Sequence, residues 1–166
     1  PTPAGSASIP AAADTYLSTF HKSSAFGSRA DMIHRLAGMG GEYTPMLRFA
    51  IFRSQGGPVP DGAEIVSARV RVYKSSAYNY TYALHPILGA WDGRVTYNAA
   101  PAIGEAVAQA SVAWEPGWLE WDVTATLRDA PHGWAMIGVS GNTNIKKFVS
   151  REGDPAFAPR LEVEWR

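Results

Sequence analysis

One segment limits the fold more than any other: Glu64–Lys74, EIVSARVRVYK. Val66, Ala68, Val70 and Val72 alternate with Ser67, Arg69, Arg71 and Tyr73. That is the period of two of a strand with one face buried. Pro58, Pro60 and Asp61-Gly62 mark a turn before it. The C-terminus repeats the pattern, with Leu161, Val163 and Trp165 inward and Arg160, Glu162 and Glu164 outward. Trp118–Val123 is a third case: Leu119, Trp121 and Val123 share one face, Glu120 and Asp122 the other.

Seven further strands are expected at about ten-residue spacing: Ala13–Phe20, Met32–Leu36, Thr44–Phe52, Thr81–Leu88, Ala106–Val112, Trp134–Ser140 and Ile145–Ser150. Gly 16 and Pro 12 in 166 residues supply the breaks between them. A short helical turn is expected over Val123–Ala130, capped by Asp122 or Thr124 and stopped by Pro131. Ten strands in one chain of this length fit an all-β fold, a two-sheet antiparallel β-sandwich of jelly-roll type. Residues 1–12, rich in Pro, Ala and Ser, read as a linker or tail, and 13–166 as one module. Gly38-Met39-Gly40-Gly41 is followed by Glu42 rather than Lys-Ser, so it reads as a hairpin turn and not a phosphate loop.

Charge and composition exclude several functions. Lys plus Arg and Asp plus Glu are both 15, and the net charge is zero. A nucleic-acid binder needs a basic face, so none is expected as a partner. No run approaches the roughly 20 apolar residues of a membrane span. With Cys at 0 there is no disulfide framework, thiolate metal site or cysteine nucleophile. No Gly-x-Ser-x-Gly or His-Glu-x-x-His occurs, and His21, His34, His85 and His132 fall in no triad frame.

Aromatic residues carry the functional signal. Tyr78, Tyr80 and Tyr82 alternate in SAYNYTY, as on one strand face or lining a loop. A sugar ring offers an apolar C–H face and polar edges, which aromatic faces flanked by cations match. The expected ligand-binding set is therefore Tyr73, Tyr78, Tyr80 and Tyr82 with Arg69, Arg71, Lys146 and Lys147. The alternative is an enzyme, a polysaccharide lyase or glycoside hydrolase, worked by a Tyr/His/Arg set or by Glu120 and Asp122, whose Cα atoms lie about 6.8 Å apart on one strand face. A ligand-free adhesion or spacer module is the third reading. Arg48, between Leu47 and Phe49, is expected to reach Glu152 or another carboxylate across the sheet as a buried ion pair.

Motif order then points to a family. ADTYL at Ala13–Leu17, MLRFAIF at Met46–Phe52, Pro60-Asp61-Gly62-Ala63 with EIVSARVRVY, WDGRVTYNAAPAIG at Trp91–Gly104, LEWDVT at Leu119–Thr124 and FVSREGDPAFAPRLEVEW at Phe148–Trp165 resemble, in order, the DNRLRE (disaggregatase-related) domains. Ala50 and Tyr97 depart from the family pattern. Some members are grouped as carbohydrate-binding modules of family 96, associated with alginate-type acidic polysaccharides. The resemblance implies a β-sandwich without catalytic residues, in a secreted or cell-surface protein, monomeric and tethered to other domains. Its partner would be a polysaccharide, acidic in the alginate case. The resemblance of the opening also implies a structural calcium ion, with Asp14 as a ligand.

Overall fold

The computed structural model describes residues 5–36, 41–140 and 144–166. The expected hairpin turn at Gly38–Gly41 and the first four residues of the expected tail fall largely outside them. Ten strands form: β1 (Gly5–Ser18), β2 (Asp31–His34), β3 (Tyr43–Phe49), β4 (Ile65–Lys74), β5 (Tyr80–Pro86), β6 (Ala108–Val112), β7 (Gly117–Asp122), β8 (Trp134–Ser140), β9 (Lys146–Val149) and β10 (Arg160–Trp165). All pair antiparallel. A 3₁₀ helix at Thr124–Asp129 follows β7, and the Asp122 side chain accepts the Thr124 N–H at its start.

The front sheet runs β7–β4–β10–β1, with β9 and β2 extending it past the end of β10. The back sheet runs β1–β3–β8–β5–β6. β1 belongs to both sheets. Gly5–Pro10 pairs with β10, and from Ala11 onward, after a bulge, the strand pairs with β3. Residues 5–12 are thus the first strand and not a linker. Packing requires the glycine at the start of the strand: a Cβ on Gly5 would lie 2.5 Å from the Trp165 indole.

Between the sheets lies the main core, with Val70, Val72, Trp121, Leu161 and Val163 from the front and Tyr82, Leu84, Trp134 and Met136 from the back. Two expected core residues sit at its rim. Val66 is 48% exposed, because the β4–β10 register slips there and Trp165 pairs with Ile65 instead. Trp165 is half-buried and covers the edge of the core.

A second apolar cluster lies on the other face of the back sheet. Ala13, Leu17, Met46 and Ala135 meet Ile87, Trp91 and Val95 from the long connection after β5. The Trp91 indole N–H fixes that connection by donating to the His132 carbonyl at 2.7 Å. The back sheet is therefore covered on both faces. The front sheet keeps one face open, in the way antiparallel sheets allow.

Candidate functional site

The strand register lays out the open face of the front sheet. Tyr73 lies opposite Trp118, Arg71 between Glu120 and Arg160, and Arg69 between Asp122 and Glu162. Ser67, Glu164 and Ser6 continue the pattern, and Ser8 pairs with Glu162. From Tyr73 to Ser67 is about 20 Å at the strand rise.

Aromatic rings hold one end. Tyr73 packs on Phe157 at 4.3 Å between centroids and edge-on to Trp118 at 5.3 Å. Phe157 comes from the turn before β10, where the Asp154 side chain caps a 3₁₀ turn. The Arg71 guanidinium stacks 4.6 Å above the Trp118 ring. The three rings are partly exposed and form a platform with a cation laid on it.

Charges alternate beyond the platform. Glu120 bridges Arg69 and Arg71, each at 3.3 Å. Arg160 reaches the Ser8 hydroxyl, which donates to Glu162 at 2.8 Å. A shallow groove of about 470 Å³ runs over Ser6, Ser8, Ser67, Arg69, Glu162 and Glu164. Three arginines meet four carboxylates here, so the face is patterned with charge but not strongly basic.

The carboxylate pair is not poised as acid and base. The Asp122 carboxylate accepts the Thr124 hydroxyl at 2.6 Å and its N–H at 3.0 Å. Those bonds hold it below the usual carboxylate range. A glycosidase acid needs the opposite shift, and Glu120 is engaged by two cations.

Of the expected ligand-binding set, Arg69, Arg71 and Tyr73 lie on this face. Tyr80, Tyr82 and Lys146 do not. Tyr80 and Tyr82 are 5% and 0% exposed and point into the sandwich interior, their rings in tilted contact at 4.9 Å between centroids. Lys146 is fully buried, its Nζ 4.1 Å from the Tyr80 ring centroid, and desolvation then Lys74 lower its pKa to about 8. His34 joins them, buried and lowered to about 3 by desolvation and then by Lys146. Tyr78 and the exposed Lys147 lie at the loop end of the sandwich instead. Trp118, Phe157 and Arg160 are the site residues that sequence reasoning left out of its set.

Arg48 does not pair with Glu152. It lies 5.9 Å from the Trp91 ring centroid, while Glu152 meets Arg151 at 3.9 Å. Asp14 is 1% exposed; its Oδ2 accepts the Arg151 N–H at 2.7 Å and its Oδ1 is buried without a partner. Burial, with Glu152 nearby, raises its pKa to about 7. Calcium takes six to eight oxygens. Among the described residues no three His, Cys, Asp or Glu gather for a metal. With one oxygen already bonded and a guanidinium beside Glu152, this donor set offers calcium few free oxygens.

No curated protein matches this chain. A protein-family model does match, over residues 5–164, from the first strand into the last. That model is Carbohydrate-binding module family 96, and the chain belongs to this family.

Proposed function

We propose that this module binds a polysaccharide on the open face of its front sheet and performs no chemistry on it. The observation that carries the reading is the Tyr73–Trp118–Phe157 platform, with Arg71 laid on Trp118, on the sheet face left uncovered. A pyranose lies flat on such rings, and Arg71, Glu120, Arg69 and Arg160 meet its hydroxyls. In the same reading the module sits in a secreted or cell-surface protein and acts as a monomer that tethers neighbouring domains to their polymer.

An acidic, alginate-type polymer is the finer form of this proposal. Glu120 presents a carboxylate to Arg69 and Arg71, where a uronate carboxylate would otherwise sit. The Arg69–Glu120 pair is exposed, and such pairs contribute about 0–1 kcal/mol, so exchange of partner there costs little; Arg71 is half-buried against Trp118. The general reading is tested by affinity electrophoresis through alginate, xylan and hydroxyethyl cellulose, with reducing ends and unsaturated products assayed in parallel. Retention without turnover, lost in Trp118→Ala, is the expected result. Product formation would make the module an enzyme, and free migration through every polymer would leave it a spacer.

A further inference from the structure

β4 ends on an odd residue for a core position. Lys74 is fully buried, on the strand face that carries Val70 and Val72. Desolvation lowers its pKa, so burying it costs stability. Its Nζ donates to three backbone carbonyls: Tyr78, Ala113 at 3.0 Å and Trp114 at 3.2 Å. Tyr78 lies in the loop from β4 to β5, Ala113 and Trp114 in the loop from β6 to β7. One buried ammonium thus locks together two loops that cross between the sheets at the same end.

What those loops display is aromatic. Trp114 is 56% exposed, and Tyr78 meets it edge-on at 4.9 Å between centroids and 64° between planes. Tyr78 holds φ +80°, a conformation in which a non-glycine residue is strained. The loop from β4 is pinned again from β9: the Lys147 carbonyl accepts the Ser75 N–H, and the Lys147 N–H donates to the Ser76 hydroxyl, both at 2.9 Å. The side chains of Asn79, Glu115 and Lys147 are exposed around the rings.

We propose that the Tyr78–Trp114 corner is a second carbohydrate contact, separate from the sheet face, which takes one sugar unit of the same polysaccharide. Two rings at a steep angle form a wall and floor for a pyranose. The surrounding amide, carboxylate and ammonium provide hydrogen bonds to its hydroxyls. The loops are locked before binding, which limits the ordering cost. Trp114 precedes Trp118 by only four residues, across the connection that leads from β6 in the back sheet to β7 in the front sheet, so the two contacts lie close together along the chain. A long chain that engages both gains from effective concentration as well as from contacts. The inference rests on the carbohydrate reading above.

The test compares wild type, Trp114→Ala, Trp118→Ala and Tyr78→Gly, the last removing a ring while suiting the positive φ. Each is first checked by circular dichroism and thermal melting. Retention is measured in alginate, xylan and hydroxyethyl cellulose. Trisaccharides of whichever polymer retards wild type are then titrated by calorimetry. Wild type should bind two trisaccharides per chain, and each tryptophan variant one. Trp114→Ala and Tyr78→Gly should weaken retention in the long polymer about tenfold or more, as loss of a second tethered contact does. A wild-type stoichiometry of one with both loop variants at full retention overturns the second contact alone. Loss in the loop variants with Trp118→Ala unchanged keeps the corner and removes the sheet-face site. No retention of wild type in any polymer removes the carbohydrate reading and this inference together.

Discussion

Trp121 donates its indole N–H to the Tyr82 carbonyl at 3.0 Å, across the interior from the front sheet to the back. Both residues are fully buried. The bond orders the two sheets relative to each other, beyond what apolar packing alone requires. Trp121→Phe keeps most of the ring volume and leaves the carbonyl short of a donor. It should lower the unfolding free energy by about 1–3 kcal/mol. Trp121→Ala adds a cavity and should lower it by about 3–5 kcal/mol. Urea denaturation measures both, and a Trp121→Phe midpoint equal to wild type would deny the bond its role.

Acid stability should carry two opposed contributions. Asp14, raised from 3.8 to about 7 by burial, keeps its proton in the folded protein between those values, where the unfolded chain has lost it. Its contribution is full below about pH 4 and is lost as pH rises through 7. His34, lowered from 6.5 to about 3 by burial and by Lys146, stays neutral when the unfolded chain would protonate. Its contribution is full above pH 6.5 and is lost as pH falls toward 3. The two oppose each other between about pH 4 and 6.5. Asp14→Asn should melt at temperatures that rise more steeply with pH across that window than wild type does. His34→Gln should show the reverse tilt. Parallel profiles for all three proteins would sink the assignment.

Asp14 Oδ2 is already taken by the Arg151 N–H and the neighbouring Glu152 meets the Arg151 guanidinium, a poor donor set for calcium, so excess EDTA should leave the melting temperature unchanged at neutral pH. A ligand bound only to the native state raises stability by mass action. A fall of several degrees, restored by calcium, would seat an ion there.

Glu120 decides how charge enters recognition. Glu120→Gln releases Arg69 and Arg71, and retention in alginate should rise several-fold at low salt. Screening shortens from about 10 Å at 0.1 M to about 3 Å at 1 M, so the gain should vanish in molar salt. Retention in a neutral polymer should hardly respond to salt. An alginate retention indifferent to both the substitution and salt would leave the arginines as supports for Trp118 and not readers of carboxylate.

Strand positions were legible because burial on one side writes a period of two into β4, β7 and β10. The same pattern does not say which side is in. Tyr78, Tyr80 and Tyr82 look alike in sequence, yet the chain enters β5 between the first and second of them, so Tyr80 and Tyr82 turn inward. For the lysine pair a local signal existed: Lys146 shares its strand parity with Phe148, which is fully buried. Residues 5–12 read as a linker because small side chains and prolines mark linkers, yet they also suit an edge of the sheet where Gly5 lies against Trp165. The choice of open face was not legible at all. It depends on the connection around Trp91 folding over the back sheet, a contact between segments far apart in the chain. Phe157 reaches Tyr73 by a similarly long return.

The pairing of Gly5 with Trp165 has a mechanical consequence. The outer ends of β1 and β10 lie side by side, so a pull that separates them loads the ladder at its end rung only. Such a pull peels the antiparallel pair bond by bond instead of shearing all its bonds at once. Because β1 borders both sheets, its release past the Ala11 bulge would next unseat it from β3. Drawn by those two points, the domain would yield like a zip fastener, at forces far below those that strands sheared lengthwise withstand.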